Sequence, residues 1–332
     1  MIPLQLQIEI DNRDGYVWDI SGIVSEAAYK TARVGRASSF EMTLIKGGLY
    51  EAKEFKYKVG DIVQVTKGEA KVFYGYIFTI EKGRAEDVKI TAYDQLRYLM
   101  ANDHLIDKNK TATQAIQRFA KDFNLKVGKL ADTKHVFPKI AEDNSKILDI
   151  ITKLLQDTLV QTLETYVFYD DFGELTLRNI KDMILDFSLG DTSLVYDYKQ
   201  KESIENSYNQ VKIAKDDKEK GERGIYLLRD SANIAKWGLL QLYQTADEKA
   251  NAAMINKSME NLLKLKNRVE RSFQIEAIGD IRVRAGCGIH ISIEEIGIDQ
   301  RFLVNECTHK FEGADHTMSL DLVDIKKGDA KS

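Results

Sequence analysis

The two ends of this chain alternate apolar and polar residues with period two, and a helical period separates them. That layout limits the fold more than any single residue does. Leu4, Leu6, Ile8 and Ile10 fall on one face of a strand, Asp11-Asn12-Arg13-Asp14-Gly15 is turn chemistry, and Tyr16–Ile20 continues as a strand. Phe40, Met42 and Leu44 alternate again. Gly60-Asp61 opens Ile62-Val63-Gln64-Val65, and further strands are expected at Val72–Ile80 and Val88–Tyr93. Residues 1–100 thus read as an all-β unit of about six strands, a small barrel or sandwich.

Residues 101–190 change period. Thr111-x-x-Gln114 is a capping box, after which Ala115, Ile116, Phe119, Ala120 and Phe123 share a helical face. Asn144 or Ser145 is the expected cap of a second helix with the stripe Ile147, Leu148, Ile151, Leu154 and Leu155. Tyr166–Tyr169 and Leu175–Arg178, joined by Asp170-Asp171-Phe172-Gly173, read as a β-hairpin. This is a small α+β unit.

Residues 191–327 return to strands, expected at Tyr208–Ala214, Ile225–Arg229, Ser272–Ile278, Ile289–Ile293, Phe302–His309 and Thr317–Val323. A helical insertion interrupts them around 230–270, opened by the box Thr245-x-x-Glu248. The tract 215–223 is a solvated loop, and 328–332 is a tail. The fold class expected is α+β, mainly β. Val59-Gly60-Asp61-Ile62-Val63-Gln64-Val65 resembles Ile278-Gly279-Asp280-Ile281-Arg282-Val283-Arg284, each reading as a Gly-Asp turn that launches a strand. The pair supports two copies of one β unit.

Composition narrows the function. Lys plus Arg number 48 and Asp plus Glu 52, a net charge of −4, which argues against a dedicated nucleic-acid binder. At 332 residues the chain can bury roughly three quarters of its surface, enough for more than one core. Two cysteines form no disulfide framework, and the start lacks a basic-then-apolar leader, so synthesis in a cytoplasm is expected. Only Pro3 and Pro138 are prolines, so the units join closely.

Catalytic signatures are sparse. Cys287-x-x-His290, Cys307-x-His309 and His316 offer zinc-type ligands, yet Cys287 and His290 would face opposite sides of a regular strand. The plainer reading makes both cysteines small apolar fillers. Asp170-Asp171, Asp216-Asp217 and Glu294-Glu295 are paired carboxylates, but neighbours on a strand point apart, and the plainer reading is solvated turn charge. No H-E-x-x-H, G-x-S-x-G or P-loop occurs. No catalytic, cofactor-binding or metal residue is assigned. Phe73, Tyr74, Tyr76 and Phe78 crowd one strand; without positive charge they read as core and interface filling and not as a stacking platform for single-stranded nucleic acid.

Three segments carry a family likeness: Gly60–Val65, Val72-Phe73-Tyr74-Gly75-Tyr76-Ile77-Phe78, and Ala92-Tyr93-Asp94-Gln95-Leu96-Arg97-Tyr98-Leu99. It continues through Asn206–Val211, Gly279–Gly286, Val304–His309 and His316–Leu320. Together they resemble the baseplate hub proteins of contractile phage tails and phage-tail-like bacteriocins, closest to the XkdQ/YqbQ group. The resemblance implies two tube-type antiparallel β-barrels with a small α+β domain between them. It implies a homotrimer whose pseudo-sixfold ring joins a hexameric tail tube protein to a trimeric spike protein. Baseplate wedge or LysM-containing tail proteins are further implied partners, with no membrane and no specific nucleic acid. The implied site of action is a virion or tail-like particle. The alternatives are a peptidoglycan hydrolase and a cell-wall-binding tail component. The chain leaves only about ten residues after its last expected strand, which argues against an appended hydrolase domain.

Overall fold

The computed structural model describes residues 6–45, 54–84, 87–190, 195–217, 221–247 and 250–325, without the side chains of Tyr196 and Asp217. Leu4, Glu248 and the tail 328–332 lie outside the described residues.

Alternation at the start yields β1 (Gln7–Asp11), β2 (Val17–Asp19), β3 (Val24–Ala32), β4 (Ser39–Ile45), β5 (Ile62–Lys67), β6 (Ala70–Lys82) and β7 (Asp87–Tyr93). Their inward residues, among them Ile8, Ile10, Phe40, Met42, Leu44, Val63 and Ile90, form one core. The middle of the chain gives β8 (Asn102–Asp107), α1 (Ala112–Asp122), β9 (Val127–Leu130), β10 (Ile140–Lys146), α2 (Ile147–Thr162), β11 (Tyr166–Asp170) and β12 (Leu175–Asn179). The remainder gives β13 (Ile184–Gly190), β14 (Val195–Ser203), β15 (Gln210–Asp217), β16 (Glu222–Arg229), α3 (Ser231–Trp237), β17 (Gln241–Thr245), α4 (Ala252–Lys266), β18 (Glu270–Ile278), β19 (Gly288–Ile293), β20 (Ile298–Glu312) and β21 (Asp315–Asp324).

The Thr111–Gln114 box caps α1 as the sequence predicts. The cap expected for α2 is not there. Asn144 and Ser145 belong to β10, and Lys146 precedes the helix without a side-chain cap. The backbone replaces the cap: Ile147 N donates to Ala101 O at 3.0 Å as β10 runs straight into α2. The stripe holds, with Ile147, Leu148, Ile151 and Leu154 buried.

One sheet of 13 strands runs through both ends of the chain in the order β14-β18-β21-β20-β3-β4-β7-β6-β5-β1-β2, with β19 beside β20 and β13 beside β19. The strand that joins the halves, β3, has no clear apolar alternation and escapes the sequence reading. Its partner β20 turns one edge first to β19 and then, over Glu306–Glu312, to β3.

The sheet repeats. The order β3-β4-β7-β6-β5-β1 recurs as β14-β18-β21-β20-β19-β13. Irregularities recur with it. The register slips between Val24 and Glu26 and, at the matching place, between Val195 and Asp197. It slips between Ile77 and Thr79 and again between Val304 and Glu306. Bulges mark position in a sheet, so two coincident pairs fix the alignment residue by residue.

That alignment corrects the sequence match. Gly60 N donates to Ile77 O at 2.8 Å, and Ile77 N to Asp61 O at 2.9 Å; Gly286 N donates to Val304 O at 2.8 Å, and Val304 N to Cys287 O at 2.9 Å. The counterpart of Gly60-Asp61 is therefore Gly286-Cys287. Gly279-Asp280 launches no strand, because the chain turns through 281–286 before β19 begins. The repeat breaks at its far edge, where β1 pairs with β5 antiparallel, whereas β13 pairs with β19 parallel.

The strands expected at Tyr208–Ala214 and Ile225–Arg229 form, with β17, a separate sheet of three, not part of the large one. Asn209, fully buried, holds the crossing: its Nδ2 donates to Gly238 O at 2.7 Å and its Oδ1 accepts from Leu240 N at 2.9 Å. Helix α4 covers this sheet through Ile255, Met259 and Leu262, and it is capped by Asn251.

Candidate functional site

From β18 to β7 the large sheet has one face in the core and one toward solvent. The solvent face carries short and charged side chains, including Lys30, Glu41, Thr91, Thr308 and Lys310, around a hollow of 420 Å³. Lys30 Nζ sits 2.7 Å from Glu41 across β3 and β4. Such a face, with signs mixed, offers no strong field to a polyanion.

The core face holds two polar clusters. The first joins β5 to β20 and β21. Lys67 Nζ lies 2.9 Å from His316 Nδ1, His316 Nε2 3.0 Å from His309 Nδ1, and His309 Nε2 2.8 Å from Val283 O. Val283 O can only accept, and the lysine ammonium can only donate. Both rings are thereby assigned as neutral Nε2–H tautomers, each passing its proton one step along the chain. Burial pushes the His309 pKa down to about 4, and burial with the neighbouring His309 and Lys67 pushes His316 down to about 3.

The second cluster lies where the middle of the chain meets both repeats. Asp94 caps a short 3-10 turn through Leu96 N at 3.0 Å and accepts from Ser38 N at 3.0 Å. Gln95 beside it reaches Gly173 O at 2.7 Å and accepts from Lys126 N at 3.2 Å. The Asp94-Gln95 pair thus clamps the α+β region to β4. Burial raises the pKa of Asp94 and of Asp170, and Asp170 raises Asp94 further. Asp170 Oδ1 accepts from Gly173 N at 2.6 Å. Arg284 lies over the Tyr169 ring, 3.8 Å from its centroid, and donates to Asp170 O at 3.2 Å.

Of the zinc-type candidates, Cys307, His309 and His316 come together, with Cys307 Sγ 3.3 Å from His309 Nε2. Cys287 shares the buried core with Cys307 but bonds to neither histidine, its sulfur approaching Arg282 O at 4.0 Å; His290 stands apart and pairs with Asp299 at 2.7 Å on the exposed side. No cluster able to hold a metal ion occurs among the described residues. The carboxylate pairs separate too. Asp170 is buried while Asp171 is exposed, Asp216 faces Arg223 at 2.6 Å, and Glu294 and Glu295 are exposed in a turn. The side chain of Asp217 lies outside the described residues. The burial of Asp170 departs from the solvated turn expected of it.

The aromatic strand fills core and junction. Phe73 stacks on Phe40 with centroids 5.6 Å apart, while Tyr74 meets Phe172 at 5.7 Å and Phe78 meets Tyr98 at 5.9 Å. Asp94 and Arg284 enter the sequence reading only as letters of family-like segments, with no site role, and Lys67 does not enter it. An Asp before an apolar helical turn signals Asp94; nothing local signals the other two.

A family model described as YqbQ-like matches residues 27–323. The phage-like element PBSX protein XkdQ of Bacillus subtilis (strain 168) is 30% identical over 271 residues, covering 80% of this chain and 82% of the relative. In structure the chain resembles the 43 kDa tail protein of prophage MuSo2 from Shewanella oneidensis, with TM-score 0.71, 16% identity and coverage of 98% and 99%. It also resembles the E. coli c3393 protein, described as a type VI secretion component with structural similarity to T4 tail proteins gp27 and gp5, with TM-score 0.58, 8% identity and coverage of 97% and 78%.

Proposed function

The chain belongs to the YqbQ-like family, and from that premise we propose that it is the baseplate hub of a contractile phage tail or tail-like particle. Three copies form a ring that joins the hexameric tail tube to a trimeric spike. The observation that carries this reading is the strand order repeated head to tail within one sheet. A subunit with two matching sheets lets a threefold assembly present six similar units to a tube. The polar solvent face, with its mixed Lys, Glu and Thr, lines the channel. The clamp at Asp94-Gln95 carries load between the ring and the middle α+β region, which is the place for wedge or LysM-containing tail proteins. The role is mechanical: the ring seeds the tube and transmits sheath contraction to the spike, with no bond made or broken.

Light scattering of the purified protein, alone and with its cognate spike, tests the reading. A mass of three subunits in either condition is expected; a monomer in both overturns it.

A further inference from the structure

The repeat supplies a template for a contact that a single copy leaves unmade. Within the chain, β20 and β3 meet antiparallel, with Glu306 opposite Ala32, Thr308 opposite Lys30 and Lys310 opposite Ala28. The counterpart of β20 is β6, and the counterpart of β3 is β14. Beyond its bulge, β6 pairs only with β7, over Thr79–Lys82. Its other edge has no strand beside it among the described residues. Among the described residues β14 ends the sheet and pairs only with β18.

Resting on the hub reading, we propose that Thr79–Lys82 of one copy pairs antiparallel with β14 of the next, in the register the chain itself uses at β20 and β3. Matching through the bulges makes Thr79 the counterpart of Glu306 and Ser203 that of Ala32. Thr79 then stands opposite Ser203, Ile80 opposite Glu202, Glu81 opposite Lys201 and Lys82 opposite Gln200. The solvent-face pair is of opposite charge, and both members are exposed in the single copy. Within its own copy Glu81 stands opposite Lys89, so the new strand extends a row of alternating sign.

The contact is heterologous, edge to opposite edge, which closes into a ring when the rotation per copy permits. It differs from the internal junction in one useful respect. The core-side pairs at β20 and β3 are Cys307 with Thr31 and His309 with Tyr29, buried and stacked. Their counterparts, Ile80 with Glu202 and Lys82 with Gln200, are largely polar. Charged side chains on both edges keep a free subunit from adding strands indiscriminately.

The test is a chain carrying Glu81→Cys and Lys201→Cys together, oxidised after assembly with the spike. Cys287 and Cys307 are buried, so background crosslinking is low. Opposed residues in antiparallel strands lie within disulfide reach. A reducible covalent trimer is expected from the double variant, none from either single variant, and far less from Glu81→Cys with Lys199→Cys. A charge exchange gives a second readout: Lys201→Glu weakens assembly several-fold, and adding Glu81→Lys restores it. A trimer by light scattering that neither crosslinks nor responds to the exchange overturns the register while leaving the hub reading intact. No trimer of the unmodified protein in any condition overturns the hub reading and this contact with it.

Discussion

The two turns that open β5 and β19 are the same backbone object built from different residues. Gly60 has φ +90° and Gly286 φ +94°, and the flanking amides and carbonyls bond identically. The second residue is Asp61 in one and Cys287 in the other. Asp61 Oδ2 accepts from Asn12 Nδ2 and from Lys58 N, both at 2.8 Å. Cys287 has only a weak approach to Arg282 O at 4.0 Å. The backbone pattern defines the repeat, and the side chains around it are free to solve local problems. A glycine with positive φ is the one residue type both copies share, because a Cβ there is strained.

The environments of the glycines differ, and this gives the largest expected effect. A Cβ on Gly60 meets nothing within 4 Å, whereas one on Gly286 meets Val167 Cγ1 at 2.5 Å. Gly60→Ala should cost about 1–2 kcal/mol from backbone strain alone. Gly286→Ala adds overpacking against a buried valine and should cost about 4 kcal/mol. Urea unfolding of both variants measures the gap. Equal losses would mean that the second turn relaxes freely and that the middle region is not seated on it.

How much of this could be read in advance follows from the same comparison. Strands with regular alternation, such as Phe40-x-Met42-x-Leu44 and the run into β21, are legible because burial on one face imposes period two. The mainly β fold with an α+β middle follows from them. β3 is not legible: Val24–Ala32 places Ala27, Tyr29 and Thr31 on its inner face, a set with no run of large aliphatic residues to mark period two. The repeat was visible only as a misaligned echo. Val59–Val65 and Ile278–Arg284 share letters, yet the structural match lies at Gly286-Cys287, where one letter of two agrees. The clusters at the junctions were half visible. Cys307, His309 and His316 stand out as residue types, but their partners Lys67 and Val283 come from far along the chain. The chemistry they suggested, a zinc site, gives way to a hydrogen-bonded chain that starts at the Lys67 ammonium and runs through two neutral imidazoles to Val283 O.

The second residue of each turn gives the next effect. Asp61→Ala strips a buried acceptor from Lys58 N and Asn12 Nδ2 and should cost about 3 kcal/mol. Cys287→Ala removes one sulfur from a site with no strong hydrogen bond and should cost about 1 kcal/mol. Thermal unfolding ranks the two. A cost for Cys287→Ala matching that of Asp61→Ala would show that the second turn depends on its side chain after all.

The smallest effect is a pH dependence confined to the second repeat. The alignment sets Lys82 and Tyr57 where the other copy has His309 and Val283, and there Lys82 Nζ sits 5.0 Å from the Tyr57 ring centroid. Of these two matching sites, only the one in the second copy holds histidines. Folding holds the His309 pKa down at about 4 and that of His316 at about 3, against an ordinary 6.5. The unfolded chain therefore binds more protons as pH falls below 6.5. Stability contributed by these rings is complete above that value and is lost as pH drops toward 4. Raised carboxyl groups at Asp94 and Asp170 act with the opposite sign, gaining stability on acidification. The histidine contribution is therefore read as a difference. Between pH 7.5 and 5 the unmodified protein should lose about 1–2 kcal/mol more than His309→Gln does. The glutamine keeps a donor for Val283 O but cannot take up a proton. Parallel stability-against-pH curves for the two proteins would mean that the rings titrate alike folded and unfolded.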